Sequence, residues 1–280
     1  MTNELLINIA KKIRARIIET SHIAEAPHLG SCLSCVDILI ALYWNVLRID
    51  PGNCHSPERD RFILSKGHAA PALFQVLAER LFFDPKLLEY FGQDGSLFGE
   101  HPLAHGVDGV EAATGSLGHG LPIGVGLALG SRIRGINNGI YVLLSDGECN
   151  EGSVWEAAMF SAAQKLENLT VIIDFNKWQA TGRSEEVMAL SPLIDKWISF
   201  GWDAREVDGH DITAVTELLL LPKDDSKKPR VLIAHTVKGK GVSFMEDDNN
   251  WHYRIPTKQE VIAAKKELGL IKEDHAERVC

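Results

Sequence analysis

Asp146 and Asn176 are the polar side chains whose placement reads most directly as chemistry. Asp146 follows the apolar run Ile140 to Ser145, and Phe175-Asn176 ends the run Leu169 to Asp174. The 30 residues between them are the length of one β-α-β crossover, which sets two strand ends side by side. In open parallel sheets ligands bind beyond the carboxyl ends of the strands. A carboxylate and a side-chain carbonyl meeting there are hard oxygen donors that suit Mg²⁺ or Ca²⁺. Mg²⁺ takes few protein ligands and fills its shell with water and phosphate oxygens. Each dipeptide, Asp146-Gly147 and Asn176-Lys177, also reads as a simple turn former.

Three other clusters bear on chemistry. Gly115-Ser116-Leu117-Gly118-His119-Gly120 precedes an expected helix over Leu121 to Ile133, and backbone N–H groups at such a start suit phosphate oxygens. His28, His68, His101, His119 and His252 sit in polar or Gly- and Pro-containing settings, which points to a polar site exchanging protons near neutral pH. Cys32 and Cys35 form a C-x-x-C. With Cys54, His55 and His28 they make an imaginable zinc set, but the simpler reading is two small buried thiols near a helix start. No Walker A pattern occurs. Gly124 to Gly130 resembles a loose dinucleotide fingerprint, which keeps an NAD(P)-dependent oxidoreductase as a rival. Yet no strand precedes it, and glycines there also let a buried helix pack closely.

The elements that must position these residues follow from periodicity. Leu5, Ile9, Ile13 and Ile17 predict a first helix, Val36 to Leu47 a second, and Pro71 opens a third with Leu73, Phe74, Leu77 and Leu81 as its stripe. Of 24 glycines, 15 fall between Gly92 and Gly152, where backbone must turn tightly or approach a ligand. Strands are expected at Ile140–Ser145, Leu169–Asp174, Trp202–Val207 and Arg230–Thr236, with helices at Ser153–Leu166 and Ile212–Leu221. Thr257 and Glu260 form a capping box that opens a helical tail over 257–280. The fold class is α/β, a doubly wound, mostly parallel sheet with helices on both faces.

The composition agrees. Hydrophobic residues are 45% and charged residues 24% of 280, enough apolar material for a core. A net charge of −9 argues against nucleic acid as a partner. No segment is apolar enough to span a membrane, and the first 16 residues do not read as a secretory signal. Five cysteines do not suggest a disulfide framework, so the expected location is the cytoplasm.

From about Ala15 to Tyr253 the chain resembles the N-terminal, pyrophosphate-binding part of transketolases. The resemblance rests on Asp146-Gly147-Glu148-Cys149-Asn150-Glu151-Gly152 with Asp174-Phe175-Asn176-Lys177, which is similar to the thiamine diphosphate motif. Ser145 stands where the motif usually has its first Gly. Supporting blocks are His28-Leu29-Gly30-Ser31, Ser65-Lys66-Gly67-His68-Ala69, Gly99-Glu100-His101-Pro102, Thr114 to Gly120 and Lys238-Gly239-Lys240-Gly241. The resemblance implies thiamine diphosphate as cofactor. It implies that Asp146, Asn176 and the main-chain carbonyl of Trp178 hold Mg²⁺ or Ca²⁺. Gly147, Glu148 and His68 would lie near the diphosphate, and Gly115, Ser116, Leu117 and His119 would line the cofactor. Glu151 would join cofactor sites across a subunit interface. His28, His101 and His252 would bind sugar hydroxyls and move protons.

Two departures matter. His28-Leu29-Gly30, in place of His-Pro-Gly, is similar to 1-deoxyxylulose-5-phosphate synthase. His119, where full-length transketolases often have Gln, is similar to short, split transketolases, as are His101 and His252. Full-length members also carry a second α/β domain, whose glutamate protonates the aminopyrimidine ring. The resemblance therefore implies either that the chain is a fragment or, the reading preferred here, that a second polypeptide supplies this domain, in a heterotetramer with two copies of each chain. The implied reaction moves a two-carbon ketol unit from a ketose phosphate, such as xylulose 5-phosphate, to an aldose.

Overall fold

A computed structural model describes residues 1–222 and 225–271. The strands are β1 (Arg61–Leu64), β2 (Ile140–Ser145), β3 (Leu169–Phe175), β4 (Asp203–Asp208) and β5 (Arg230–His235). They form one parallel sheet in the order β1-β2-β3-β5-β4. The helices are α1 (Asn3–Ala24), α2 (Leu29–Ser34), α3 (Val36–Ala41), α4 (Ala70–Glu79) and α5 (Gly120–Ile133). They continue with α6 (Gly152–Ala163), α7 (Ser184–Val187), α8 (Leu193–Ser199), α9 (Ile212–Leu220) and α10 (Lys258–Glu267).

Strand residues alternate between two cores. Phe62, Leu143, Ile172 and Leu232 enter one, with side chains of α1, α3, α4, α9 and α10. Ile63, Val142, Val171 and Ile233 enter the other, with α5, α6 and α8. Both faces of the central strands are thus buried, which is why β2, β3 and β5 read as unbroken apolar runs rather than alternating ones. The edge strand β4 carries Asp203, Arg205 and Glu206 and is half-exposed. Such charges blunt an edge that would otherwise pair with another chain.

The expected elements are present with shifted boundaries, and several local readings are corrected. The buried face of α1 runs through Leu6, Ala10, Ile13, Ile17 and Ile18, while Leu5 is exposed, because a strict four-residue step drifts around a 3.6-residue helix. Arg14 also turns inward and pairs with Asp37 at 2.6 Å. The second helix ends as α3 at Ala41 and continues as a π-helical turn, Leu42–Val46. Leu81 lies beyond α4, exposed, with φ of 62°. Strand β1 has only four residues beginning with Arg61, too short for its apolar run to stand out. In the tail, Thr257 and Glu260 make the reciprocal capping box of α10. Residues 272–280 of the expected tail lie outside the described residues.

Candidate functional site

The carboxyl ends of β1, β2, β3 and β5 share one edge of the sheet. Ser65-Lys66-Gly67-His68 leaves β1, Asp146-Gly147-Glu148 leaves β2, Asn176-Lys177-Trp178 leaves β3, and Thr236-Val237-Lys238 leaves β5. Parallel pairing of Ser145 with Asp174 brings the two expected metal ligands to adjacent strand ends. The dinucleotide reading fails on local geometry. Gly124 to Gly130 lies inside α5, with no strand leading into it. A Cβ on Gly124 would come within 2.6 Å of Val142, so this glycine allows close helix-sheet packing, whereas Gly126 and Gly130 face open space.

Asp146 is fully buried. One carboxylate oxygen accepts from Gly147 N–H at 2.9 Å. The other accepts from Lys177 N–H and Ser184 Oγ–H, both at 2.8 Å. Burial pushes its pKa up to about 6 despite these donors. Two hydrogen-bonded oxygens retain lone pairs for a cation. Asn176 is also buried, and its side-chain carbonyl accepts from Trp178 N–H at 3.1 Å. Lys177, with φ of 71°, makes the turn that places Asn176 and Trp178. The Trp178 ring lies under Arg183 at 3.8 Å, and its indole N–H donates to Asp247 at 2.8 Å.

Directly beneath, Asp174 accepts from Ser34 at 2.6 Å, from Thr236 and from the buried Lys66 ammonium. Lys66 also donates to Ser31 O at 2.9 Å. Although burial alone would raise it, the Asp174 pKa is held below the usual carboxylate range by Lys66 and the hydroxyl donors. Glu148 turns its carboxyl inward. It accepts from Gly118 N–H at 2.9 Å, Ser145 N–H at 3.2 Å and the Ser65 hydroxyl. Its side chain therefore ties the Gly115–His119 loop to the ends of β1 and β2.

That loop is tightly made. Gly118 has φ of +80°, and a Cβ there would strike Glu151, which stands exposed at the start of α6. Gly115, Ser116 and Leu117 are exposed, and the His119 ring contacts Ser116 Oγ at 3.2 Å and Leu117 O at 3.1 Å. Two buried polar atoms beside these loops have no protein partner: Thr114 Oγ1, packed against Gly67, and Gln179 Nε2, whose side chain packs against Gly147. Orphaned buried polar atoms are costly, so they mark a place where a polar ligand fits. Together with the oxygen donors of Asp146 and Asn176, they fit a diphosphate-bearing cofactor held through a divalent cation.

Four of the expected histidines form one cluster. The His28 ring centroid lies 4.9 Å from that of His252, 5.4 Å from His68 and 6.3 Å from His101. His28 is held at φ of 67°, and its N–H donates to His252 O at 2.7 Å. Burial first, then repulsion from His101 and Lys238, lowers the His28 pKa to about 4. His252 falls to about 3 through burial and Lys238, and His68 is also held low, chiefly by burial. Lys238 donates to Asn249 at 2.7 Å and to His252 Nδ1 at 3.2 Å, and burial lowers its own pKa to about 8. Accepting at Nδ1 leaves the proton of neutral His252 on Nε2, a donor. Sequence reasoning gave no role to Lys66, Thr114, Gln179 or Lys238: Lys66 acts through a partner 108 positions away, and burial without a partner at Thr114 and Gln179 shows only in the fold.

Cys32 and Cys35 are buried thiols directed at backbone carbonyls of His68 and Ser31. Burial drives both thiol pKa values up, Cys35 to about 12. Among the described residues no metal-competent cluster includes them, and Cys54 and His55 lie in a separate group.

The sequence profile of the transketolase, thiamine diphosphate binding domain, matches residues 6–277. An apulose-4-phosphate transketolase subunit from Phocaeicola vulgatus is 40% identical over 260 residues, covering 93% of this chain and 92% of that protein. A 6-deoxy-6-sulfo-D-fructose transketolase subunit from a Clostridium species is 38% identical, covering 92% and 94%. Human transketolase is 35% identical over 250 residues, which cover 89% of this chain but 40% of that protein. Among solved structures, the transketolase of Campylobacter jejuni superposes with a TM-score of 0.89 at 28% identity, covering 96% of this chain and 43% of that one. The chain thus spans well under half the length of these longer proteins.

Proposed function

Because the chain belongs to the transketolase thiamine diphosphate binding domain family, we propose that it is the pyrophosphate-binding subunit of a split transketolase. It would form one such domain over residues 1–280, its active site completed by a second polypeptide carrying the pyrimidine-binding domain. One observation supports this above all. The Asp146/Asn176 donor pair and the His28, His68, His101 and His252 cluster belong to loops gathered at the carboxyl edge of one parallel sheet.

In this reading Asp146, Asn176 and the Trp178 carbonyl hold Mg²⁺, or Ca²⁺ in its place, against the diphosphate. Gly147, Glu148 and His68 lie beside it, Glu148 through its backbone. Gly115, Ser116, Leu117 and His119 line the cofactor, and Glu151 faces the neighbouring subunit. When bound, thiamine diphosphate supplies the electron sink that lets the bond beside a ketose carbonyl break. The chain's own contribution is orientation and proton transfer. His28 and His252, neutral near pH 7, bind sugar hydroxyls without the cost of a buried charge. His252 donates from Nε2, while His28 and His101 accept or return the hydroxyl proton.

The donor is a ketose phosphate such as xylulose 5-phosphate. The names of the relatives add apulose 4-phosphate and 6-deoxy-6-sulfofructose as donors to be tried. We place the complex in the cytoplasm, as a heterotetramer acting on sugar phosphates of the pentose type. The test is a ketol-transfer assay of the purified chain with thiamine diphosphate and Mg²⁺, alone and with the polypeptide of the adjacent gene, over these donors. Activity only with the second polypeptide is the expected result. Activity of the chain alone would overturn the split-site reading.

A further inference from the structure

Away from this site, Cys54, His55 and Asp108 each bring a ligand atom within 4.8 Å of the others. Cys54 caps the short helical turn Pro51–Asn53, and Asp108 lies on the loop between His101 and Gly115. The Cys54 side chain is buried, while His55 and Asp108 are exposed, with His55 Nε2 at 3.6 Å from Asp108 Oδ1. The nearby Arg59 guanidinium pairs with Glu111 and donates to the Cys54 carbonyl, with no ion pair to Asp108 among the described residues. All three ligands, with His105, line one cavity of 330 Å³.

We propose that Cys54, His55 and Asp108 form a peripheral site for a zinc-class divalent ion, with the fourth position taken by water or His105. One thiolate, one imidazole and one carboxylate form a donor set that selects a borderline metal such as Zn²⁺ or Co²⁺ over Mg²⁺ or Ca²⁺. Ligand atoms around tetrahedral zinc stand about 3.3–3.6 Å apart, as bond lengths of about 2.0–2.3 Å require. The spacing closes to that by rotating the exposed His55 and Asp108 side chains toward Cys54. On binding, the Cys54 thiol gives its proton to solvent and forms the metal-sulfur bond.

The bound ion would staple the turn before β1 to the loop over residues 102–113. That loop begins beside His101 and returns at Gly115, whose Cβ position is 3.7 Å from the His101 ring. The link to loop order at the active site rests on the function proposed above. The metal binding does not.

The test is Co²⁺ titration of the full chain under reducing conditions, followed by the near-ultraviolet thiolate-to-cobalt absorption. The expected result is one equivalent of Co²⁺ with this band, displaced by Zn²⁺ and lost in Cys54→Ser. Affinity should fall at least tenfold in His55→Ala and Asp108→Asn. The band should survive in Asp146→Asn, which separates this site from the proposed cofactor site. Absence of the band in the wild-type chain, or its survival in Cys54→Ser, would overturn the proposal. Should Cys54→Ser fail to fold, the exposed His55→Ala decides, and unchanged Co²⁺ affinity there would overturn it.

Discussion

Asp146 and Asp174 stand at the ends of neighbouring parallel strands, both fully buried, and both accept several hydrogen bonds. Their electrostatics run in opposite directions. Lys66 lies against Asp174 and keeps it ionised, whereas Asp146 has no ion pair among the described residues and is pushed up to about 6 by burial. A buried carboxylate costs free energy unless a cation faces it. The Asp174 region is therefore a closed structural unit, in which Lys66, Ser34 and Thr236 lock the ends of β1, β3 and β5 together. The Asp146 region has no direct ion pair among the described residues, only the more distant attraction of Lys238, which leaves its carboxylate open to a ligand cation. The same side chain, one strand apart, is scaffold in one place and, in the function proposed above, a metal ligand in the other.

The sharpest way to break this contrast is to remove the cation from the closed unit. Lys66→Met should destabilise the chain by about 3–5 kcal/mol, the scale of stripping one partner from a buried ion pair. Urea unfolding measures this, and a loss below about 1 kcal/mol would mean that the pair anchors nothing. Asp146→Asn should cost less. It removes a buried charge with no direct ion pair, but its amide nitrogen cannot accept the hydrogen bonds that one carboxylate oxygen took, so the loss should stay below about 3 kcal/mol, smaller than that of Lys66→Met.

The histidine cluster offers smaller effects. His101→Ala should lower the turnover of the reconstituted enzyme by about tenfold to a hundredfold, with cofactor affinity little changed. Full activity with every ketose donor would remove His101 from the substrate channel. The last prediction concerns pH. Folded His28 and His252 titrate near 4 and 3, below the unfolded value of about 6.5. The folded chain thus binds fewer protons than the unfolded chain between these values. Their contribution is full above pH 6.5 and is lost as pH falls toward about 4 for His28 and about 3 for His252. Replacing both by Asn should flatten the acid limb of the stability profile, and an unchanged slope would show that these rings are not held neutral.

The core strands were legible because both sheet faces are buried, which leaves β2, β3 and β5 as apolar runs. The four residues of β1 gave no comparable signal, since only Phe62, Ile63 and Leu64 are apolar. Asp146 and Asn176 were legible as strand-end oxygen donors one crossover apart. The histidine cluster was not legible from spacing, since His28 and His252 are 224 positions apart and meet only through the fold. Their polar, Gly- and Pro-containing settings suggested a shared site, and the resemblance to a known family assigned His28, His101 and His252 to the substrate and His68 to the diphosphate. Lys66 and Asp174, 108 positions apart, left no local trace either. A buried Lys in Ser-Lys-Gly-His reads in isolation as a solvated charge.

The measurement closest to the central claim is calorimetric titration of thiamine diphosphate into the reconstituted two-chain complex, with and without Mg²⁺, for wild type and Asp146→Asn. The account predicts Mg²⁺-dependent binding by wild type. It also predicts a loss of at least about a hundredfold in the variant, whose fold remains intact. Equal affinity in the two proteins, or binding indifferent to Mg²⁺, would contradict it.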